Sequence, residues 1–569
     1  MRFVRSILSF LDSMRPRDRD KDDHEIAPDE IFLDSSNLPE FDTTQFEGRF
    51  EKSIGKQTFL LLGLVCVLVG ILFIAKLWTL QVTDGETYVL QSDQNRLSHS
   101  LVFAERGVIY DRNGVEIAWN VPSEDSDFSL RAYDDRPGLG HVVGYVGYPL
   151  KDKSGTYYQE EFSGIAGVEK ALDNRIGGHN GLKIIETDVF GSLQSESSVY
   201  MPEDGEDITL TVDARLNEAL YGFIRDLALN VGFVGGSGVL MDVESGEIIT
   251  LVSYPEYSSQ VLVDGVPKEE VQQYVNDSRK PFLNRAVAGL YTPGSIVKPF
   301  LAVGVLEEGI INPEKEILST GSISVPHPYA PGKFSVFKDW KVHGLVDMRD
   351  AISVSSNVYF YTVGGGFESQ KGIGIEKIGE YMKAFGIGVR SGIELSPEAD
   401  GVVPNPEWKE ANFLGDEWRL GDTYNTSIGQ YGFQITPVQA VRAVSAIANR
   451  GTLMTPTLVL GEETEKDVVG VDDAHLKIVQ EGMRRAVTSG TARSLAVPGI
   501  KIAAKTGTAE VASKRLVNSW IIGFFPYESP RYAFAALMER GPSGGVTGAP
   551  FVMREFFEWM GANTPEYIK

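Results

Sequence analysis

At 569 residues the chain is too long for one ordinary hydrophobic core, and two or more domains are expected. A net charge of −25 argues against nucleic-acid binding, which needs a basic surface, and reads instead as a solvated acidic exterior. The single cysteine, Cys66, excludes an intrachain disulfide and a cysteine metal cluster.

Residues 2–14 place Phe3, Val4, Ile7, Leu8, Leu11 and Met14 at helical spacing, with Arg2, Arg5 and Arg15 beside them. That pattern fits a helix lying on a membrane surface, or a short helix with no role. Residues 18–51 are acidic and punctuated by proline, so 1–58 is expected to be a largely disordered cytoplasmic tail. Phe59–Ala75 reads FLLLGLVCVLVGILFIA, without charge or proline. About 20 helical residues cross a hydrocarbon core of about 30 Å, so 59–80 is expected to be a transmembrane helix. Lys76 would snorkel and Trp78 would sit among headgroups. A cleaved signal peptide fits poorly, because a long segment precedes the run and no clear small-residue cleavage site follows. Arg49, Lys52 and Lys56 precede the span, and Asp84 and Glu86 follow it. The expected orientation is single-pass in the cytoplasmic membrane, N-terminus inside and the later domains outside, with Lys76 weakening the bias.

From 81 to about 205, short apolar stretches such as Leu101–Ala104 and His141–Val146 lie among charge and glycine, which predicts short strands and turns. From 206 the texture changes. Ile208–Val212 alternates as a strand, and Leu216–Leu227 has helical spacing. Gly238–Asp242 and Ile248–Val252 flank Glu244-Ser245-Gly246 as a hairpin. Ser519–Phe525 and Tyr532–Met538 are strand-like, and Phe551–Met560 is helical. Strands on both sides of a long helical stretch give an α+β class. The expected domains are 81–205 and 206–569.

Three short motifs carry chemistry. S-x-x-K occurs three times (Ser53/Lys56, Ser295/Lys298, Ser335/Lys338), S-x-N twice (Ser35/Asn37, Ser355/Asn357) and K-T-G once, at Lys505-Thr506-Gly507 before Thr508. Any single match is explained by coincidence, so context decides. Ser53/Lys56 and Ser35/Asn37 fall on the cytoplasmic side of the span, and Ser335/Lys338 opens no apolar helix. Ser295 follows the turn signal Pro293-Gly294 and precedes the apolar run Phe300–Leu306, which stops at Glu307-Glu308-Gly309. A helix beginning near Ser295 puts Lys298 on the same face and turns first-turn N–H groups toward Ser295. Pro299 conflicts with that helix. Ser355 and Asn357 lie in the apolar stretch Ala351–Tyr361, where serines that only satisfy a core are the bland alternative. Lys501–Thr508 alternates as a strand with Ile502, Ala504 and Thr506 on one face. There Gly507 would let another backbone approach, and the strand edge would pair with an extended peptide. The bland alternative leaves Lys505 merely solvated.

Together these residues resemble the class B penicillin-binding proteins, the peptidoglycan D,D-transpeptidases. Further matches are Arg106-Gly107 with Asp111-Arg112-Asn113-Gly114, Gly164–Lys170, Leu210–Asp213 and Asn284-Arg285-Ala286. Ser427-Ile428-Gly429-Gln430 with Thr436-Pro437, and Asn518-Ser519-Trp520 with Gly523-Phe524, extend the likeness over roughly 60–560. Gly421-Asp422-Thr423 within Trp418–Gln430 looks more like the elongation type than the septal type. The long tail and Tyr431-Gly432 depart from the family pattern, and no segment resembles a glycosyltransferase domain.

The resemblance implies an elongated, mainly β pedestal over 81–205. It implies a β-lactamase-like transpeptidase domain over 206–569, an antiparallel sheet flanked by helices. Ser295 would be the nucleophile and Lys298 its base, neutral through burial and the charge of Lys505. Ser355 would relay the proton, and Asn357 would meet the substrate amide. Lys505, Thr506, Gly507 and Thr508 would bind the terminal carboxylate, with the backbone N–H groups of Ser295 and Thr508 as oxyanion hole. Implied partners are stem peptides of lipid II-derived glycan, β-lactams as covalent inhibitors, a glycan polymerase of the shape, elongation, division and sporulation family, and rod-shape scaffold proteins. No cofactor and no metal are expected. Rival readings are a septal transpeptidase, a β-lactamase or β-lactam sensor, a carboxypeptidase, and a non-catalytic wall scaffold.

Overall fold

The computed structural model describes residues 55–89, 97–187, 193–327, 330–511, 516–544 and 547–568. The expected helix at 2–14, the acidic tail, and Ser35, Asn37 and Ser53 lie outside the described residues. The chain divides into two units, Met1–Asn95 and Arg96–Lys569.

In the first unit the apolar run is helical. Helix α1 (Lys56–Trp78) continues as a wider turn over Thr79–Thr83, where Thr79 Oγ1 donates to Lys76 O at 2.8 Å. Leu60, Leu72, Phe73 and Ile74 stay exposed, and no residue of α1 is buried. A helix apolar all round, with its backbone bonds satisfied internally, suits lipid. Among the described residues this is the one helix long and apolar enough to cross a membrane.

The second unit begins with short strands, as the alternation of apolar and polar stretches predicts. They are β1 (Leu97–Val102), β2 (Ile109–Tyr110), β3 (Glu116–Val121), β4 (Leu130–Tyr133), β5 (Gly181–Thr187), β6 (Leu193–Tyr200) and β7 (Ile208–Thr209). β5 lies between β1 and β6 in an antiparallel sheet, and the second sheet runs β7-β2-β3-β4. The strand expected over Ile208–Val212 is shorter. β7 pairs in parallel with β2 for two residues, because Asp213 then caps a helix, its carboxylate accepting from Arg215 N. His141–Val146 lies in a helical turn over Gly140–Val143 followed by a two-residue strand.

The motif residues of this region form its polar core. Glu169 is fully buried between Arg106 (Nε–Oε2 2.6 Å) and Arg131 (Nε–Oε1 2.8 Å), with Tyr133 Oη donating to the same carboxylate. Asp111 Oδ2 accepts from Ala214 N, and Arg112 donates to Thr211 O, so this loop is fastened to the start of the next domain.

That domain is built on five antiparallel strands in the order β9-β8-β12-β11-β10. In chain order its named elements are α2 (Ala214–Val231), β8 (Gly235–Asp242), β9 (Ile248–Tyr254), α3 (Lys298–Glu307), α4 (Met348–Val354), α5 (Asn357–Gly365), α6 (Pro437–Ala448), α7 (Asp473–Thr488), β10 (Ala503–Glu510), β11 (Leu516–Phe525), β12 (Tyr532–Pro542) and α8 (Ala549–Asn563). Strand alternation sorts its side chains. Leu240, Ala504, Ile521 and Phe534 pack with α2 and α8, whereas Val239, Ala503, Trp520 and Leu537 pack with α3 and α6. β10 is an edge strand, as a peptide-pairing strand must be.

Candidate active site

Pro293-Gly294 delivers Ser295 into a single tight turn over Gly294–Val297, and the α-helix proper begins only at Lys298. Pro299 therefore sits in the first turn of α3, where its missing N–H would have had no partner. The expected conflict between proline and helix is resolved by starting the helix three residues later than Ser295. The turn is held by Trp520 Nε1 donating to Thr292 O (3.0 Å) and by Gly294 N donating to Gly429 O (3.0 Å).

The apolar stretch around Ser355 is two helices, not one. Helix α4 ends at Ser355, whose φ of 60° and ψ of 40° are left-handed, and Ser356 caps α5 by accepting from Tyr359 N. A non-glycine residue there stores backbone strain, which functional sites retain. The break turns the buried Ser355 and the half-buried Asn357 toward α3.

Lys298 is fully buried, and its Nζ donates to Asn357 Oδ1 (2.7 Å), Ser355 O (2.9 Å) and Ser355 Oγ (3.3 Å). Lys505 is equally buried, rather than solvated, and donates to Ser355 Oγ at 2.9 Å. The three motifs thus converge on one hydroxyl. No hydrogen bond joins Lys298 Nζ to Ser295 Oγ; contacts of this kind often tighten only with substrate.

Burial pushes Lys298 down to about 7, and Asp339 opposes that fall. Lys505 is driven well below its usual range by burial and by Lys298. Of the two causes expected from sequence, burial and the charge of Lys505, burial is the one that lowers Lys298. The repulsion between the amines falls on Lys505, because Asp339 supports the charge of Lys298. Two ammonium groups against one buried hydroxyl repel each other, so the pair gives up a proton more readily than a solvated lysine does.

Strand and turn meet closely. A Cβ on Gly507 would lie 2.8 Å from Pro293 O, and one on Gly294 would lie 2.9 Å from Thr508 O. Absent side chains at both positions press the Ser295 turn against β10, bringing Ser295 beside Thr508. A cleft of about 540 Å³ opens here, lined by Ser295, Ser355, Asn357, Thr506, Gly507 and Thr508 with Trp340, Thr491, Phe233 and Trp520. Thr506 is half-buried and donates to Thr491 Oγ1 (2.8 Å), while Thr508 is exposed. Trp340, Thr491 and Asp339 were missed from sequence. None lies in a recognised motif, and only Ser489-Gly490-Thr491, a turn-like tripeptide after a helix, gave any signal. Ser335/Lys338 lies in a short strand, Phe334–Lys338.

The model of the penicillin binding protein transpeptidase domain matches residues 236–558, more than half of the chain. The chain belongs to the penicillin-binding-protein transpeptidases. It is a class B member of the PBP2-like elongation type, and the penicillin-binding protein dimerisation domain matches residues 126–210. It is similar to the peptidoglycan D,D-transpeptidase MrdA of Salmonella typhimurium, 28% identical over 89% of this chain and 96% of that protein. MrdA of Escherichia coli K12 is 26% identical, covering 87% and 92%. Among solved structures, PBP2 of Helicobacter pylori in complex with MreC superposes with a TM-score of 0.70 at 27% identity, covering 82% of this chain and 99% of that one. Pseudomonas aeruginosa PBP2 in complex with WCK 5153 gives 0.66 at 30% identity, covering 81% and 97%. The α+β two-domain fold expected from sequence is that of the family.

Proposed function

We propose that this class B penicillin-binding protein cross-links peptidoglycan stem peptides through an acyl-enzyme on Ser295 during cell elongation. One observation carries the reading. Lys298 and Lys505 both donate to Ser355 Oγ, at the wall of a cleft that also holds Ser295. Serine is a weak nucleophile and needs a base beside it, and Lys298 with its lowered pKa is that base. The Ser295 Oγ proton passes to Lys298, and Oγ bonds to the carbonyl carbon between two D-alanines. The C–N bond breaks, and the departing D-Ala amine takes a proton through Ser355. An amine of a second stem then attacks the ester, restores Ser295 Oγ–H and completes the cross-link.

The donor peptide lies along the free edge of β10, with its terminal carboxylate at Thr506 and Thr508. That carboxylate favours charge on Lys505, which leaves Lys298 as the neutral amine. The backbone N–H groups of Ser295 and Thr508 receive the oxyanion; one such donor is worth about 2.7–4 kcal/mol of barrier. Asn357 offers its Nδ2–H to the substrate amide, its Oδ1 being taken by Lys298.

The domain boundaries belong to the same reading: a tail to 58, the span at 59–80, a pedestal over 81–205 and the transpeptidase domain over 206–569. Charge around α1 supports a cytoplasmic-membrane anchor with the N-terminus inside. A rod-shape scaffold protein and a membrane glycan polymerase are the partners, supported by the likeness to a PBP2 solved with MreC and to a peptidoglycan synthase complex.

Fluorescent penicillin tests the core of this. Wild-type protein becomes covalently labelled, and Ser295→Ala does not; labelling that persists at another residue ends the assignment.

A further inference from the structure

Behind the Ser355–Asn357 turn lies a carboxylate for which the chemistry above has no use. Asp339 follows the strand Phe334–Lys338, and its side chain is fully enclosed. Oδ2 accepts from Val358 N (2.9 Å), Ser356 Oγ (2.9 Å) and Ser319 Oγ (3.2 Å), and Oδ1 accepts from Trp340 N (2.8 Å). Ser356 and Val358 flank the start of α5, the helix that opens at Asn357, two residues after the left-handed Ser355. Residues in that backbone region are strained and persist only where surrounding contacts over-determine them. A carboxylate gripping the helix start through two of its residues is such a contact, and negative charge at a helix N-terminus is itself favourable. Lys298 takes its position from the same turn, through Ser355 O, Ser355 Oγ and Asn357 Oδ1.

The titratable groups around Asp339 come from three places. Lys298 on α3 is a buried amine, Lys341 lies two residues on, and His343 Nε2 stands 3.5 Å from Oδ1 without a hydrogen-bond partner. Burial lowers His343, so its ring is neutral at neutral pH. Burial alone would raise Asp339, but the N–H groups of Val358 and Asn357 and the Ser356 hydroxyl hold it below its usual range, so it remains an anion.

We propose that Asp339 is a positioning residue for acylation: it clamps the strained Ser355–Asn357 turn and supplies the negative charge felt by Lys298. This rests on the reading of Lys298 as base. The test follows the rate of fluorescent-penicillin acylation against pH, on the full chain in detergent. Asp339→Asn keeps an acceptor for Val358 N but loses the charge, so the acid limb moves to lower pH by about one unit. Asp339→Ala loses both, and the plateau rate falls about tenfold or more. An Asp339→Asn limb that coincides with wild type overturns the electrostatic role, and an Asp339→Ala plateau at the wild-type rate overturns the clamp. Should either variant fail to fold, Ser356→Ala removes one donor to Asp339, together with the Tyr359 cap of α5, and no charge. Its plateau is expected to fall severalfold with the limb unmoved, and a wild-type rate or a displaced limb counts against the proposal. Normal acylation by Lys298→Ala would sink the choice of base, a result distinct from any of these.

Discussion

The base assignment makes a quantitative demand on the pH dependence of acylation. Burial takes Lys298 from 10.5 to about 7. At pH 7 about half of the amine is then neutral, against roughly one part in three thousand for a solvated lysine, a gain of about 10³ in usable base. The acylation rate should rise about tenfold per pH unit below 7 and level off above it. The limb belongs to the coupled Lys298–Lys505 pair.

The same burial has a cost in stability. The folded state holds this proton less tightly than the unfolded chain, so stability rises with pH between about 7 and 10.5 and is lowest below 7. The penalty there is on the order of 5 kcal/mol, partly offset by the bonds to Ser355 and Asn357. Lys298→Met should therefore abolish acylation while raising the melting temperature near pH 6. Rate constants for fluorescent-penicillin labelling between about pH 5.5 and 9, beside thermal melts of the same samples, read both effects. A rate flat across neutrality, or a Lys298→Met protein that acylates, refutes the reasoning.

Other expectations are independent of that titration. Gly507→Ala puts a Cβ against Pro293 O and Ile296, so β10 and the Ser295 turn must part; acylation should fall by a factor matching about 1–3 kcal/mol, with little change in overall fold by circular dichroism. Thr491→Val removes the partner of Thr506 Oγ1, and should cost about 1 kcal/mol in kcat/KM for a carboxylate-bearing peptide. Glu169→Gln leaves Arg131 buried beside an uncharged amide and should destabilise the second unit by about 3 kcal/mol or more, read by denaturant melts. A neutral result there would make the Arg106–Glu169–Arg131 cluster dispensable.

Some of this molecule was legible in one dimension because the physics is local. The apolar run that became α1 is long, uncharged and continuous, and no partner is needed to read it. The pairing of β8 with β9 through Gly246, and the helical spacing of α2 and α8, follow from periodicities of two and 3.6 residues. Motif spacing picked out Ser295, Lys298, Ser355, Asn357 and Lys505. The proline after Lys298 misled only because the chain can start its helix later than the nucleophile. What spacing could not supply is the environment of each group. Whether Lys505 is solvated or enclosed depends on which face of an edge strand meets α3. The residues that follow the break at Ser355 bond to Asp339, sixteen or more residues away in sequence and in contact only after folding. The acidity of Lys298 is likewise set by the layers that close over it. Burial, strain and charge are sums over neighbours brought from distant segments, so the tertiary structure alone decides them.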